Sequence, residues 1–189
     1  MTHNDEYYIE RVLQGDHSSY AMLVERHKEM VFTLAYRMLK NREEAEEISQ
    51  DAFLKAYSSL RKFRKDARFS TWLYRIVYNL SVSQLRKNKK EVYSLDDDDR
   101  TIEPEDTGSK MDRLETADRQ KYMKQALEHL SPEEQTIITL YYQDEQSVGE
   151  IAEVTALTSS NVKVKLHRAR KRLHAHLASI LQHEMNSLI

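Results

Sequence analysis

The sequence predicts an all-α protein, two small helical domains joined by an acidic flexible linker. Three observations predict it. The chain of 189 residues holds only 3 Gly and 2 Pro, and strands need frequent turns of the kind those residues supply. Apolar residues recur at spacings of three and four through most of the chain, as in helices with one buried face. One stretch breaks that pattern: residues 92–112, VYSLDDDDRTIEPEDTGSKMD, hold a four-Asp run, a Pro and a Gly. That composition reads as a linker. Two domains of under about 100 residues each bury thin cores, so modest stability is expected.

Each element follows in order. Residues 5–14 form a short helix on Tyr8, Ile9, Val12 and Leu13, ended by Gly15-Asp16. A second runs from about Ser18 to Leu39, with Tyr20, Leu23, Val24, His27, Val31, Leu34, Ala35 and Met38 on one period. Asn41 caps a third, and Glu43, Glu44, Glu46 and Glu47 lie near its positive end. Its stripe is Ala45, Ile48, Ala52, Phe53, Ala56, Tyr57 and Leu60. Residues 61–69, RKFRKDARF, show no apolar period and read as a loop. Ser70 or Thr71 caps a fourth helix, running to about Arg86 over Trp72, Leu73, Ile76, Val77, Leu80 and Leu85. After the linker a fifth helix spans about 113–129. Ser131-Pro132-Glu133-Glu134 combines a cap, a first-position proline and first-turn acids, and opens a sixth helix to about Tyr142. Ser147 caps a seventh to about Val154, and the turn TALTSS leads to a long basic eighth helix over 159–181.

The net charge is −2, a cancellation rather than an even mixture. Arg61 to Lys90 carries ten Lys/Arg and one acid, and Val162 to His176 carries six Lys/Arg and no acid. Val92 to Asp118 carries three Lys/Arg against ten acids. Two basic patches therefore flank an acidic segment, the footprint of contact with nucleic acid. The chain has no Cys, which excludes disulfides, thiol catalysis and Cys-ligated zinc and suits a reducing cytoplasm. No apolar run approaches a membrane span, and the N-terminus MTHNDEYYIERV is not a signal peptide. No catalytic residues, metal ligands or cofactor site are expected, because no nucleophile–base set, carboxylate pair, phosphate loop or metal spacing is present.

Three segments carry chemistry. Gln146 to Leu173, QSVGEIAEVTALTSSNVKVKLHRARKRL, sets a short helix, a tight turn with inward Leu157, and a second helix burying Val162 and Leu166. Small Ala152 lets the helices cross closely. This is the helix-turn-helix pattern, and Lys163, Lys165, Arg168, Arg170 and Lys171 on the open side suit phosphates and base edges. A solvated basic helix of a bundle is the plainer alternative. KFRKDARFSTWLYRIVYN, residues 62–79, interleaves cations and aromatics, as in stacking sites for unpaired bases; the same aromatics would also serve as core. EISQDAFLKAYSSL, residues 47–60, offers a partner surface, although spacing alone favours plain core.

At these segments the chain resembles the extracytoplasmic-function (group IV) sigma factors of bacterial RNA polymerase, over nearly its whole length. Region two resembles residues 7–91, marked by QDAFLKAY and FSTWLYRIVYN; region four resembles 117–181, marked by HLSPEEQTIITL and VKVKLHRARKRL. The resemblance implies a non-enzymatic subunit with domains over 1–91 and 113–189 and a linker over 92–112. Gln50, Asp51, Phe53, Leu54, Tyr57 and Leu60 are implied to dock on the clamp of the polymerase's largest subunit, with a further contact to the flap of the second-largest. The single-stranded −10 element is implied to be held by Phe63, Arg64, Lys65, Asp66, Ala67, Arg75, Asn79 and Arg86, with one base flipped into the loop. The −35 duplex is implied to be read by Lys163, Val164, His167 and Arg168, with Asn161, Lys165 and Arg170 on phosphates. An anti-sigma factor or other recruiting protein is a further partner in this family, and no membrane insertion is implied.

Three residues depart from the family pattern. Lys65 and Ala156 stand where Gly is common, and Val164 stands where a small polar residue is common. A left-handed backbone at Ala156 would cost about 1 kcal/mol, and Val164 offers a thymine methyl an apolar contact. Two other readings use the same residues. A dimeric helix-turn-helix repressor or activator needs neither the aromatic-basic loop nor the QDAFLKAY surface. A protein-binding helical adaptor would show no salt-dependent DNA binding.

Overall fold

The computed structural model describes residues 3–92 and 116–187, and among these every regular element is helical. Helix α1 spans Asp5–Leu13, α2 Tyr20–Leu39, α3 Arg42–Ser59 and α4 Phe69–Val92. After residues 93–115 come α5 Thr116–Glu128, α6 Pro132–Tyr142, α7 Val148–Thr155 and α8 Ser159–Ser187. The expected linker at 92–112 and the start of α5 at 113 lie, apart from Val92, outside the described residues.

Local chemistry sets the helix ends. The Asn4 side chain accepts from the Tyr7 amide at 3.1 Å, and Gly15 takes φ +101° after α1. Asp16 then accepts from the Ser19 hydroxyl at 2.8 Å and from the Arg11 guanidinium at 2.8 Å, which pins the turn. The chain re-enters helix through a 3₁₀ turn, His17–Ser19, that periodicity did not reveal. Lys40 is left-handed at φ 57°, and Asn41 caps α3 by accepting from the Glu44 amide at 3.2 Å. Each such cap contributes about 1 kcal/mol.

The expected loop 61–69 is shorter than its sequence suggests. A 3₁₀ turn holds Leu60–Lys62, and α4 begins at Phe69. Neither Ser70 nor Thr71 is the cap: the Arg68 carbonyl accepts from the Trp72 amide at 3.1 Å, so the helix starts earlier. Thr71 has another use, because its hydroxyl faces α7. Helix α4 also runs past Arg86 to Val92, and α8 past 181 to Ser187.

Helices α1 to α4 close around Leu23, Val31, Leu34, Met38, Leu73 and Val77. Ala45, Ala52 and Ala56 are fully buried and let α3 lie close against its neighbours. In the second half, Ser131 and Glu134 form a capping box on α6, and Ser147 and Glu150 form one on α7. Glu134 has a second partner, the Arg172 guanidinium at 3.0 Å, which ties the start of α6 to α8. Tyr122 and Ala126 of α5 pack on Leu177 of α8 in a separate small cluster. The main apolar core runs unbroken from α1–α4 into α6, α7 and α8.

Candidate nucleic-acid interface

Helices α7 and α8 are joined by Ala156, Leu157 and Thr158. Ala156 takes φ 57° and ψ 27°, the left-handed conformation that Gly adopts without strain. Leu157 packs on the core, and Thr158 caps α8 by accepting from the Asn161 amide at 3.2 Å. Ile151 and Val154 of α7 meet Val162, Leu166 and Ala169 of α8 in the interior. The buried period of α8 fixes its opposite side. Lys163, Val164, His167, Arg168 and Arg170 are exposed, and none is ion-paired among the described residues. Val164, 45% exposed, is a large apolar side chain in the middle of this basic face. Asn161 is exposed at its start. Lys165 departs from expectation: it is half-buried, with its ammonium 2.7 Å from Glu133 of α6. Its charge is met by Glu133 in a partly exposed pair, because position 165 turns toward α6.

The second basic segment forms a cavity of about 390 Å³, within the range of small-ligand pockets. Phe63, Arg64, Asp66, Ala67 and Arg75 line it together with Lys62, Thr71 and Trp72. Phe63 is half-buried, its ring centroid 5.2 Å from that of Trp72 and 5.8 Å edge-on from that of Phe69. It is therefore part core and part wall. Lys65 takes φ 61° and pairs with Glu10 at 2.8 Å, so the loop adopts a Gly-like conformation without Gly. Asn79 and Arg86 are exposed further along α4 and do not line the cavity. The helical period would have found Thr71, one turn before Arg75. No local signal marks Glu153, which reaches the same cavity from α7.

On α3, Gln50, Asp51, Leu54 and Tyr57 are exposed, Leu54 at 68%. The Tyr57 hydroxyl lies 2.6 Å from His17 Nδ1, which holds the ring in place. Phe53 is half-buried against the core. Leu60 is 2% exposed and cannot touch a partner; it sits where α3 turns inward to the 3₁₀ segment.

The two halves meet along α2 and α4 on one side and α6 and α7 on the other. Arg37 donates to Thr139 and, at 2.7 Å, to Gln143. Lys40 donates to Gln135 at 2.8 Å, and Thr71 to Gln146 at 3.1 Å. Burial pushes the Tyr74 hydroxyl and the Asp144 carboxyl, hydrogen-bonded to each other, above their ordinary values. Burial also pushes Glu150 up, but hydrogen bonds from Ser147 and the neighbouring Arg68 and Thr71 outweigh it and leave the carboxyl below its ordinary value. Among the described residues no group of His, Asp and Glu could hold a metal, and no helix is long and apolar enough to cross a membrane.

A helix-turn-helix with a basic open face, beside a helical bundle with a basic aromatic pocket, defines a two-domain DNA-binding protein. Residues 23–91 match the family Sigma-70 region 2, and residues 120–173 match Sigma-70, region 4. Over 186 residues the chain is 35% identical to the ECF RNA polymerase sigma factor SigW of Bacillus subtilis (strain 168), covering 91% of this chain and 96% of that protein. It is 27% identical to the RNA polymerase sigma-H factor of Pseudomonas aeruginosa, covering 94% and 96%. The chain belongs to the extracytoplasmic-function RNA polymerase sigma factors. It is thus a subunit that binds core RNA polymerase and promoter DNA and directs transcription initiation. Sigma factors as a class are non-enzymatic initiation factors. Its fold is similar to that of the sigma factor RpoE in complex with the anti-sigma factor NepR from Bartonella quintana, at TM-score 0.65 and 23% identity over 84% of this chain and 96% of that one. It is likewise similar to CnrH in complex with the cytosolic domain of CnrY, at TM-score 0.63 and 22% identity over 93% and 97%.

Proposed function

We propose that this chain is a cytoplasmic, group IV sigma factor with no enzymatic activity of its own and no cofactor. Residues 1–91 bind polymerase and the −10 strand, 92–112 link, and 113–189 read the −35 duplex. The observation that carries the reading is the two-sided build of α8. Val162, Leu166 and Ala169 are buried, which turns Lys163, Val164, His167 and Arg168 outward as one surface able to reach base edges in the major groove. Asn161 and Arg170 flank it and take phosphates, while Lys165 positions α8 through Glu133. At the other site Phe63 stacks on a captured base while Arg64, Asp66, Ala67 and Arg75 surround it. Lys65 stiffens the loop, and Asn79 and Arg86 continue the strand path along α4. Gln50, Asp51, Leu54 and Tyr57 meet the clamp, Phe53 and Leu60 hold that face from beneath, and region four meets the flap. The likeness to a sigma factor solved in complex with an anti-sigma factor supports an anti-sigma factor as a further partner.

Transcription in vitro with core polymerase, with and without the chain, tests this once start sites are mapped. New starts at a shared −35/−10 pattern are expected. Arg168→Ala should weaken initiation by about 1–3 kcal/mol and relax preference at one or two base pairs of the −35 element. Equal loss on every sequence would make Arg168 a phosphate contact, and no chain-dependent start would refute the assignment.

A further inference from the structure

We propose that His17 is a positioning residue for polymerase binding, fixing the Tyr57 ring as a preorganised anchor on the docking face of α3. The inference rests on the reading that this side of α3 meets core RNA polymerase. His17 opens the 3₁₀ turn His17–Ser19, which precedes the residues 23–91 matched to Sigma-70 region 2. The polymerase-facing surface thereby extends off α3 onto the segment between α1 and α2.

Tyr57 is held at both its ring and its hydroxyl. The Tyr20 ring meets it edge-on, with centroids 4.9 Å apart, and the Tyr20 hydroxyl donates to the Phe53 carbonyl at 2.7 Å, one turn earlier on α3. The Tyr57 hydroxyl lies 2.6 Å from His17 Nδ1, and the two rings stand 6.0 Å apart. What remains of Tyr57 is exposed, and so is Leu54 three residues before it. Residues at that spacing share a side of a helix.

The turn that carries His17 is itself fixed. Gly15 takes φ +101°, and the His17 amide donates to the Gly15 carbonyl at 3.0 Å. The Asp16 carboxylate accepts from the Ser18 hydroxyl at 2.5 Å and from the Ser19 hydroxyl at 2.8 Å. Those bonds and the Arg11 guanidinium hold the carboxyl far below its ordinary value, so it stays an acceptor at neutral pH. His17 is thus exposed yet set in place.

A fixed tyrosine suits an interface. Tyr is among the side chains that dominate binding between proteins, and ordering a free side chain on binding weakens affinity by about three- to tenfold. Tyr57 reaches the polymerase already ordered. Without the His17 bond the ring regains freedom, and its hydroxyl needs a new partner.

Binding to core RNA polymerase is measured by competition against the fluorescently labelled wild-type chain, beside circular dichroism. His17→Phe keeps a ring and removes the acceptor; Tyr57→Phe keeps the ring and removes the hydroxyl. Each should keep native helicity and weaken core binding about three- to tenfold. The double variant should be no weaker than either alone, since both changes remove one bond. His17→Asn, whose side-chain oxygen can accept from the hydroxyl, should recover most of the lost affinity, which a general loss of packing would not allow. Wild-type affinity in either Phe variant overturns the proposal, as do losses that multiply in the double variant or an Asn variant as weak as His17→Phe. Should His17→Phe lose helicity, Tyr57→Phe, which leaves the turn intact, must still show the loss. Leu54→Glu separates this failure from failure of the docking face. If it weakens binding while the Phe variants do not, the face stands and the role of His17 falls. If a folded Leu54→Glu binds normally, the face falls and the inference with it.

Discussion

Thr71, 1% exposed, donates its hydroxyl proton to the side-chain oxygen of Gln146 at 3.1 Å, joining residues 75 positions apart in sequence. The bond lies in the seam between the two domains of a sigma factor, beside the pocket proposed to capture a promoter base. A threonine one turn into α4 thus serves tertiary packing, and the Arg68 carbonyl begins the helix instead.

The two leucines of the polymerase-facing segment should behave oppositely. Leu54→Glu should leave helicity and Tm unchanged, because the side chain is already in water, while core polymerase binding falls at least about tenfold, as for loss of a central apolar anchor. Leu60→Ala should cost about 2–5 kcal/mol of stability by leaving a cavity. Thermal melts beside a core-binding titration check both. Unchanged binding by a folded Leu54→Glu would move the docking face elsewhere.

Phe63→Ala should impair open-complex formation roughly tenfold or more, since base stacking is worth about 1–3 kcal/mol. Tm should fall as well, because the ring also packs on Trp72 and Phe69. The defect should persist on a template already unpaired across −10, where capture rather than melting is at stake. Permanganate footprinting on both templates measures it, and normal opening would remove Phe63 from the pocket's function.

Ala156→Gly should stabilise the chain. A non-Gly residue in the left-handed region costs about 1–2 kcal/mol, and the greater freedom of Gly in the unfolded chain returns about 0.4–1 kcal/mol of that. The net gain is about 0–1.6 kcal/mol, a rise in Tm of up to about 3–6 °C. A fall in Tm would show that the turn carries no strain at this position.

Asp5 joins α1 to α2, 2.7 Å from the Arg26 guanidinium and 2.8 Å from His27 Nε2. Burial pushes its carboxyl up, but the His27 and Arg26 hydrogen bonds outweigh that and hold it below its ordinary value. A depressed folded value means stability present above about pH 4 and lost as pH falls through the folded value. Asp5→Ala should therefore lower Tm at pH 7, by the few degrees that about 1 kcal/mol represents for a partly exposed pair. That deficit should shrink on acidification below about pH 4. A deficit constant from pH 7 to pH 3 would make the loss one of packing rather than charge.

The sequence by itself determined the order of the main helices, the caps at Asn41, Ser131 and Ser147, and the basic face of α8. Asn41, Ser131 and Ser147 cap where their side chains and following acids predict, because capping is decided within about one turn of chain. Val162 and Leu166 are buried and His167 and Arg168 exposed, because a helical period fixes which residues share a side. The left-handed backbone at Ala156 and Lys65 was legible only as a departure from a family pattern, since neither residue favours that conformation on its own. Tertiary structure alone decided the rest. It sent Leu60 inward, spent Lys65 on Glu10 and Lys165 on Glu133, and brought Glu153 into a pocket otherwise built from residues 62–75. Those outcomes depend on which helix lies opposite, a relation between distant segments that no local period encodes. The seam joining Thr71 to Gln146 is of the same kind, because a side chain's partner across a domain boundary is fixed only when both faces are packed.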